Sequence, residues 1–328
     1  MLFFRCCIFA LLITPLANAE SLIFEQGGNY LSGHYLAPLD NQPAKAVLLF
    51  VHGDSALSYN AEGYYDIIWQ LLRERGYAAF SWDKPGVGDS SGNWMLQSMA
   101  DRQAEVLAAV HAVQENYKFE SSNTGLIGFS QAGWVLPRLA SDTDNIGFII
   151  GVGFARSWLD QGLYHTETRL KLIEADRDQI ASQLHQRTKE IEFFESSPSY
   201  YEYLEFVGQD AMKKDRYDFV LKNRLSDASL DNLNIKVPSL LMWGEADLNV
   251  DAKSEFSWWQ SPEHNNQLVS TKLIPNASHG MLKADIFNTQ SFSFTQWLKL
   301  IWMGEDAFVA EFFSTMLPWL ESYSKKAT

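Results

Sequence analysis

The stretch Gly125-Leu126-Ile127-Gly128-Phe129-Ser130-Gln131-Ala132-Gly133 leaves this chain few architectures to choose from. Leu126, Ile127 and Phe129 read as a buried strand, residues 131–140 suit a helix, and a serine stands between the two. So short a turn holds its central residue at a strained backbone position, and only small neighbours let strand and helix close around it. Gly128 and Ala132 flank Ser130 two residues to either side, and Gly133 follows at once; Ala132 stands where this pattern most often has glycine. A serine in any glycine-rich loop looks similar locally, so the rest of the chain must supply its partners.

The segments on either side share one rhythm. Residues 21–37 hold two alternating stretches split by Gly27-Gly28, an antiparallel pair at a sheet edge. Residues 46–51 form an unbroken apolar run, as in a parallel strand covered on both faces, and end in His52-Gly53-Asp54-Ser55. A helix is predicted over 64–75, a strand over 77–82, a Gly- and Pro-rich turn over 83–92, a helix over 99–116 and a strand over 146–152. Alternation of this kind gives a doubly wound parallel sheet whose loops gather at the carboxyl ends of the strands.

The rhythm breaks after Phe154. Residues 156–236 read as an inserted helical cap, with Leu170, Ile173, Ile180, Leu184, Ile191 and Phe194 spaced as one apolar stripe. The aromatic run at 199–206 suits packing onto the core better than lining a pocket. Strands resume at 239–243 and 268–274, a Trp- and Phe-rich insertion covers 287–304, and an amphipathic helix closes the chain near 307–322. The expected organisation is therefore a leader at 1–19, a core in two parts at 20–155 and 237–328, and the cap between them.

Composition narrows the chemistry. With 328 residues, 46% of them hydrophobic, the chain can bury a large core. Residues 1–19 carry Arg5, an apolar stretch, Pro15 and Ala17-Asn18-Ala19, the features of a cleaved export signal, so a periplasmic or secreted location is expected. Pro15 and Asn18 interrupt the apolar stretch short of the roughly 18 residues a membrane anchor needs. Both cysteines, Cys6 and Cys7, lie in that leader, so the mature chain has no disulfide and no cysteine nucleophile. A net charge of −14 argues against nucleic acid or an anionic membrane as partner. No spacing suggests a metal site, and nothing asks for an obligate protein partner.

A serine hydroxyl needs a base within hydrogen-bond reach, and that base needs a group to orient it. His279 follows the last strand in Pro275-Asn276-Ala277-Ser278-His279-Gly280 and is the preferred base. His52 is its rival, with a role in holding its own loop as the alternative, while His34, His111, His165, His185 and His264 read as surface or core residues. Asp247, on the first loop after the strand 240–243, is preferred as the orienting acid over Glu245 and over Asp251, which suits a helix cap. The chain order is then Ser130, Asp247, His279. Backbone N–H groups of Gln131 and Asp54 are the expected oxyanion donors; the Asp54 carboxylate must point away or be paired. Asn276-Ala277-Ser278 is formally a glycosylation acceptor, but a glycan there would crowd the proposed base, so it is read as chance.

These motifs, taken with Asp83-Lys84-Pro85-Gly86-Val87-Gly88-Asp89-Ser90, resemble the alpha/beta-hydrolase superfamily from about residue 46 to 282, most like secreted bacterial serine esterases and the prolyl-oligopeptidase-like branch. The resemblance implies an eight-stranded, mostly parallel sheet, no cofactor, hydrolysis through an acyl-enzyme, and a structural rather than catalytic role for Asp83 and Asp89. The expected activity is cleavage of a small-molecule carboxylic ester. A peptidase or thioesterase with the same triad, an acyltransferase shielded by the cap, and an inactive binding protein are the alternatives.

Overall fold

The structure, a computed structural model, describes residues 19–40 and 42–327. The expected leader, with Cys6 and Cys7, lies outside the described residues except for Ala19, which opens the first strand. Eight strands form one sheet: β1 (Ala19–Gln26), β2 (Asn29–Leu36), β3 (Val47–Val51), β4 (Ala78–Trp82), β5 (Thr124–Phe129), β6 (Phe148–Val152), β7 (Ser239–Gly244) and β8 (Val269–Ile274). Their order is β1-β2-β4-β3-β5-β6-β7-β8. β1 and β2 pair antiparallel and so do β2 and β4, whereas every pairing from β4 through β8 is parallel. This is the mostly parallel, doubly wound sheet with an antiparallel edge that the hydropathy pattern predicts.

The continuous apolar runs follow from burial on both faces. Along β3, Val47, Leu49 and Val51 face a core that includes α2 (Met99–Tyr117) and α3 (Leu136–Asp142). Leu48 and Phe50 face the opposite core, filled by α1 (Tyr64–Arg73) and by Phe312, Met316 and Leu320 of the closing helix at Ala310–Ala327. The chain leaves β3 toward β4 and leaves the adjacent β5 toward β6. Their loops part in opposite directions and open a crevice at the carboxyl ends, where such sheets take their ligands.

Two local expectations are corrected. The helix after Ser130 is not continuous: a 3₁₀ turn covers Ser130–Trp134, and α3 begins only after Val135, whose φ of −118° lies outside helical geometry. Pro137 explains the break, since without an N–H it cannot bond back four residues and its ring crowds that carbonyl. The apolar stripe from Leu170 to Phe194 is likewise divided. α4 (Trp158–Leu172) ends before Ile173, which is two-thirds exposed, and Asp176 caps a second helix, α5 (Arg177–Glu195), through a capping box with Gln179. The cap signal at the turn outweighs the period.

α6 (Tyr200–Val207), α7 (Lys214–Asn223) and α8 (Ser229–Leu233) complete the insertion. A bridge between Ser157 and Asp227 closes its base. Of the aromatic run only Tyr203 is buried, packed with Tyr217 and Phe194, whereas Tyr201 stands 69% exposed, so the expected packing role holds for Tyr203 and not for the run as a whole. α9 (Ala252–Gln260) follows β7, and α10 (Ala284–Phe287) and α11 (Phe294–Met303) lie in the aromatic stretch after β8. Among the described residues, no helix is long and apolar enough to cross a membrane.

Candidate active site

Ser130 sits at the end of β5 with φ of 52°, the left-handed region that costs a residue with a side chain about 1–2 kcal/mol. Close packing holds it there. A Cβ on Gly128 would lie 2.7 Å from the Ala132 methyl and from Leu136 Cδ2, and one on Gly133 would lie 2.9 Å from Phe154 Cβ. The small residues around the serine are therefore a steric requirement of the turn.

Two other strand ends bring the partners. Asp247 follows β7, and its side chain is buried; Oδ1 accepts from the backbone N–H groups of Asn249 (2.7 Å) and Val250 (2.9 Å), which aims Oδ2 at His279 Nδ1, 2.7 Å away. His279 follows β8, with its side chain 20% exposed. Burial pushes its pKa down, but the Asp247 carboxylate, by charge and hydrogen bond, more than reverses this and leaves it above the ordinary histidine value. Ser130 and His279 share the wall of one cleft of about 400 Å³. The structure thus brings the three predicted side chains to one rim. Among the described residues the Ser130 hydroxyl makes no hydrogen bond. Such contacts are often loose before substrate binds.

The rivals are occupied elsewhere. His52 Nε2 lies 2.7 Å from the Trp82 carbonyl, which can only accept, so that nitrogen carries the proton. Burial drives the His52 pKa down to about 3, far below the range that suits a general base near neutral pH. Asp251 caps α9 through Ser254 N–H, as its position suggests, and Glu245 pairs with Lys253. Asp83 accepts from the N–H groups of Tyr59 and Asp89, which fits a turn-holding role. Among the described residues, no cluster of His, Cys, Asp and Glu could hold a metal ion.

The oxyanion side contains what local sequence could not show. Gln131 and Asp54 each present a backbone N–H that takes no partner among the described residues. The loop carrying Asp54 is ordered by the buried Lys84, which donates to the carbonyls of Gly53 (3.0 Å) and Ser55 (2.8 Å) and stacks over Trp94. Arg102 on α2 ties the two donors' segments together, donating to Gln131 Oε1 (2.6 Å) and to the His52 carbonyl (2.5 Å). The Asp54 carboxylate is paired: Arg216 of α7 grips both oxygens at 3.2 and 3.0 Å. Burial pushes the Asp54 pKa up, and Arg216 with the more distant Lys84 brings it below the ordinary value, so it stays charged beside the site.

That pairing makes a testable case for Arg216 as a positioning residue. An unpaired carboxylate a few ångströms from a developing oxyanion opposes it by roughly 1–3 kcal/mol between aqueous and interfacial dielectrics. Both side chains are more than a third exposed (36% and 40%), so solvent screening favours the low end. Arg216→Gln should lower kcat by about five- to tenfold with KM little changed, and adding Asp54→Asn should recover most of that loss. If the double variant is as slow as the single, charge neutralisation is not what Arg216 supplies.

One histidine is placed differently from its sequence reading. His165 on α4, expected on the surface or in the core, borders the cleft beside Ser130, Gln161 and His279. Burial, with repulsion from Arg169 and His279, lowers its pKa. The stretch after β8 also reaches the site: Gln290 donates to the carbonyls of His165 (3.0 Å) and Leu248 (2.8 Å), and Trp297 Nε1 donates to the Glu62 carbonyl (2.8 Å).

The family model described as the alpha/beta hydrolase family matches residues 48–285. An esterase of Pyrococcus furiosus is similar in structure, with a TM-score of 0.55 and 20% identity over 80% of this chain and 84% of that one. A proline iminopeptidase of Mycobacterium smegmatis gives 0.57 and 18% identity over 94% of this chain and 100% of that one. Est1E of Butyrivibrio proteoclasticus, solved with ferulic acid bound, gives 0.54 and 15% identity over 87% and 97%. Identities this low speak to the fold alone. Among curated proteins, none matches.

Proposed function

Because the chain belongs to the alpha/beta hydrolase family, we propose that it is an exported serine hydrolase that cleaves carboxylic esters. The single observation that carries the reading is the pairing of His279 with a buried, twice-anchored Asp247 on the rim of the cleft that also holds Ser130. In the proposed reaction Ser130 Oγ attacks the carbonyl carbon as His279 takes its proton. The Gln131 and Asp54 N–H groups hold the oxyanion, and His279 passes the proton to the departing alkoxide. Water, deprotonated by the same imidazole, then frees the acid.

A peptidase that grips a free amino terminus would need an available carboxylate near the serine. Among the described residues lining the cleft and the cavity beneath α4, the one acidic side chain is Asp54, and Arg216 already holds it; Glu62 lines the larger neighbouring cavity, which reaches His279 but not Ser130. This favours the esterase reading. Export is part of the proposal: removal of a leader up to Ala19 would leave the β1–β2 pairing from Glu20 onward in place.

A fluorophosphonate probe should modify the purified enzyme at Ser130, as mapped by mass spectrometry, and nitrophenyl esters should turn over at least about a hundredfold faster than peptide anilides. Modification at another residue would remove the nucleophile assignment, and faster amide turnover would favour the peptidase.

A further inference from the structure

Two further cavities adjoin the central cleft; Asp54 borders both, but otherwise their linings differ. One, of about 700 Å³, has a wall of Tyr64, Leu282, Phe287, Phe292, Trp297 and Leu300, and it reaches His279 but not Ser130 or Gln131. The other, of about 300 Å³, reaches Ser130 and Gln131 but not His279, and its lining is mixed: Gln161, His165, Arg187 and Arg216 stand beside Trp134 and Trp158. Arg187 pairs with Glu190 and Arg216 with Asp54, so the smaller cavity offers hydrogen-bonding groups rather than a bare positive charge.

The reaction gives these cavities direction. While the carbonyl carbon is bonded to Ser130 Oγ and its oxygen lies against the Gln131 N–H, the departing oxygen must reach the imidazole to take its proton. The alcohol half therefore leaves the cleft on the His279 side, and the acyl half on the side of Ser130 and Gln131. We propose that the apolar cavity built by the 287–300 segment binds the alcohol half of the ester, so that the substrates are esters of a bulky apolar alcohol with a compact, hydrogen-bonding acid. This rests on the serine-esterase reading above. The step balances: the Ser130 Oγ–carbon bond forms, the carbon–alkoxide bond breaks, and the serine proton leaves on the alcohol by way of His279.

Octyl acetate and ethyl octanoate are isomers that place a long alkyl chain on opposite sides of the scissile bond, so comparing them removes bulk hydrophobicity from the test. The expected ratio of kcat/KM is at least about tenfold in favour of octyl acetate, since burying a few more methylenes suffices for that factor. Trp297→Ala should bring the ratio toward one; Phe292→Ala, at a half-exposed side chain, should move it the same way with less risk to folding. Hexyl 3-hydroxybutyrate should be cleaved faster than hexyl butyrate. A ratio at or below one overturns the assignment, as does turnover of neither isomer by enzyme that still reacts with fluorophosphonate, a ratio unmoved in both variants, or slower cleavage of the hydroxylated acyl group. Loss of fluorophosphonate reactivity in the wild type would instead overturn the esterase reading beneath it.

Discussion

Replacing Ser130 with alanine is expected to lower kcat for nitrophenyl acetate by about 10⁴- to 10⁶-fold, with KM changed by far less. The residue is the sole covalent participant in the proposed reaction. Without it, the remaining turnover comes from binding and the oxyanion N–H groups acting on water, about 10³–10⁴ above the uncatalysed rate. The substitution should leave the fold intact. Alanine bears the same Cβ in the left-handed turn at φ of 52°, and the hydroxyl it loses makes no internal hydrogen bond among the described residues. Circular dichroism and the melting temperature should match the parent protein, so the rate loss can be read as chemistry. Activity within tenfold of the parent would place the nucleophile elsewhere.

Asp247→Asn is expected to cost about 10⁴ in kcat, nearly isosteric though it is. An amide can turn its NH₂ toward His279 Nδ1, force the proton onto the other nitrogen and so block the face meant to accept from Ser130. It also withdraws the charge that offsets the cost of burying an imidazolium. The pH profile separates this from simple disruption. His279 must be neutral to act as base, so kcat/KM should rise with pH through a pKa above 6.5 in the parent and through a lower one in the variant. For stability the sign is opposite. A histidine pKa raised in the folded state contributes stability fully below the unfolded value of about 6.5 and loses it as pH rises through the folded value. The acid–imidazole pair thus supports the fold most where the enzyme is least active. A variant whose acidic limb stays where the parent's is would show that Asp247 does not set the base.

Much of this was readable in one dimension because its causes are local. The strand at 47–51 announces burial on both faces through unbroken apolar sequence, and those at 124–129 and 239–244 do so after an opening Thr124 and Ser239. The small residues around Ser130 announce a turn that nothing larger could occupy, and His279 and Asp247 each stand one loop beyond a strand. Misreadings arose where a short-range competitor won: Pro137 split the helix after the serine, and the cap at Asp176 divided a stripe that periodicity alone would continue.

Sequence by itself determined the sheet, the turn that carries Ser130 and the pair of strand-end residues, Asp247 and His279, that we propose as its partners, because strand burial, steric room in a tight turn and loop position are set by neighbours within a few residues. Only the tertiary structure decided how the Asp54 carboxylate is neutralised, what orders its loop, and which walls a substrate meets. Arg216 reaches Asp54 across 162 positions of chain, Trp297 reaches Glu62 across 235, and Lys84 finds the carbonyls of Gly53 and Ser55 from a different strand's turn. A charged or aromatic side chain carries no mark of its partner until folding sets the distance between them, and the energy of a charge pair depends on that distance.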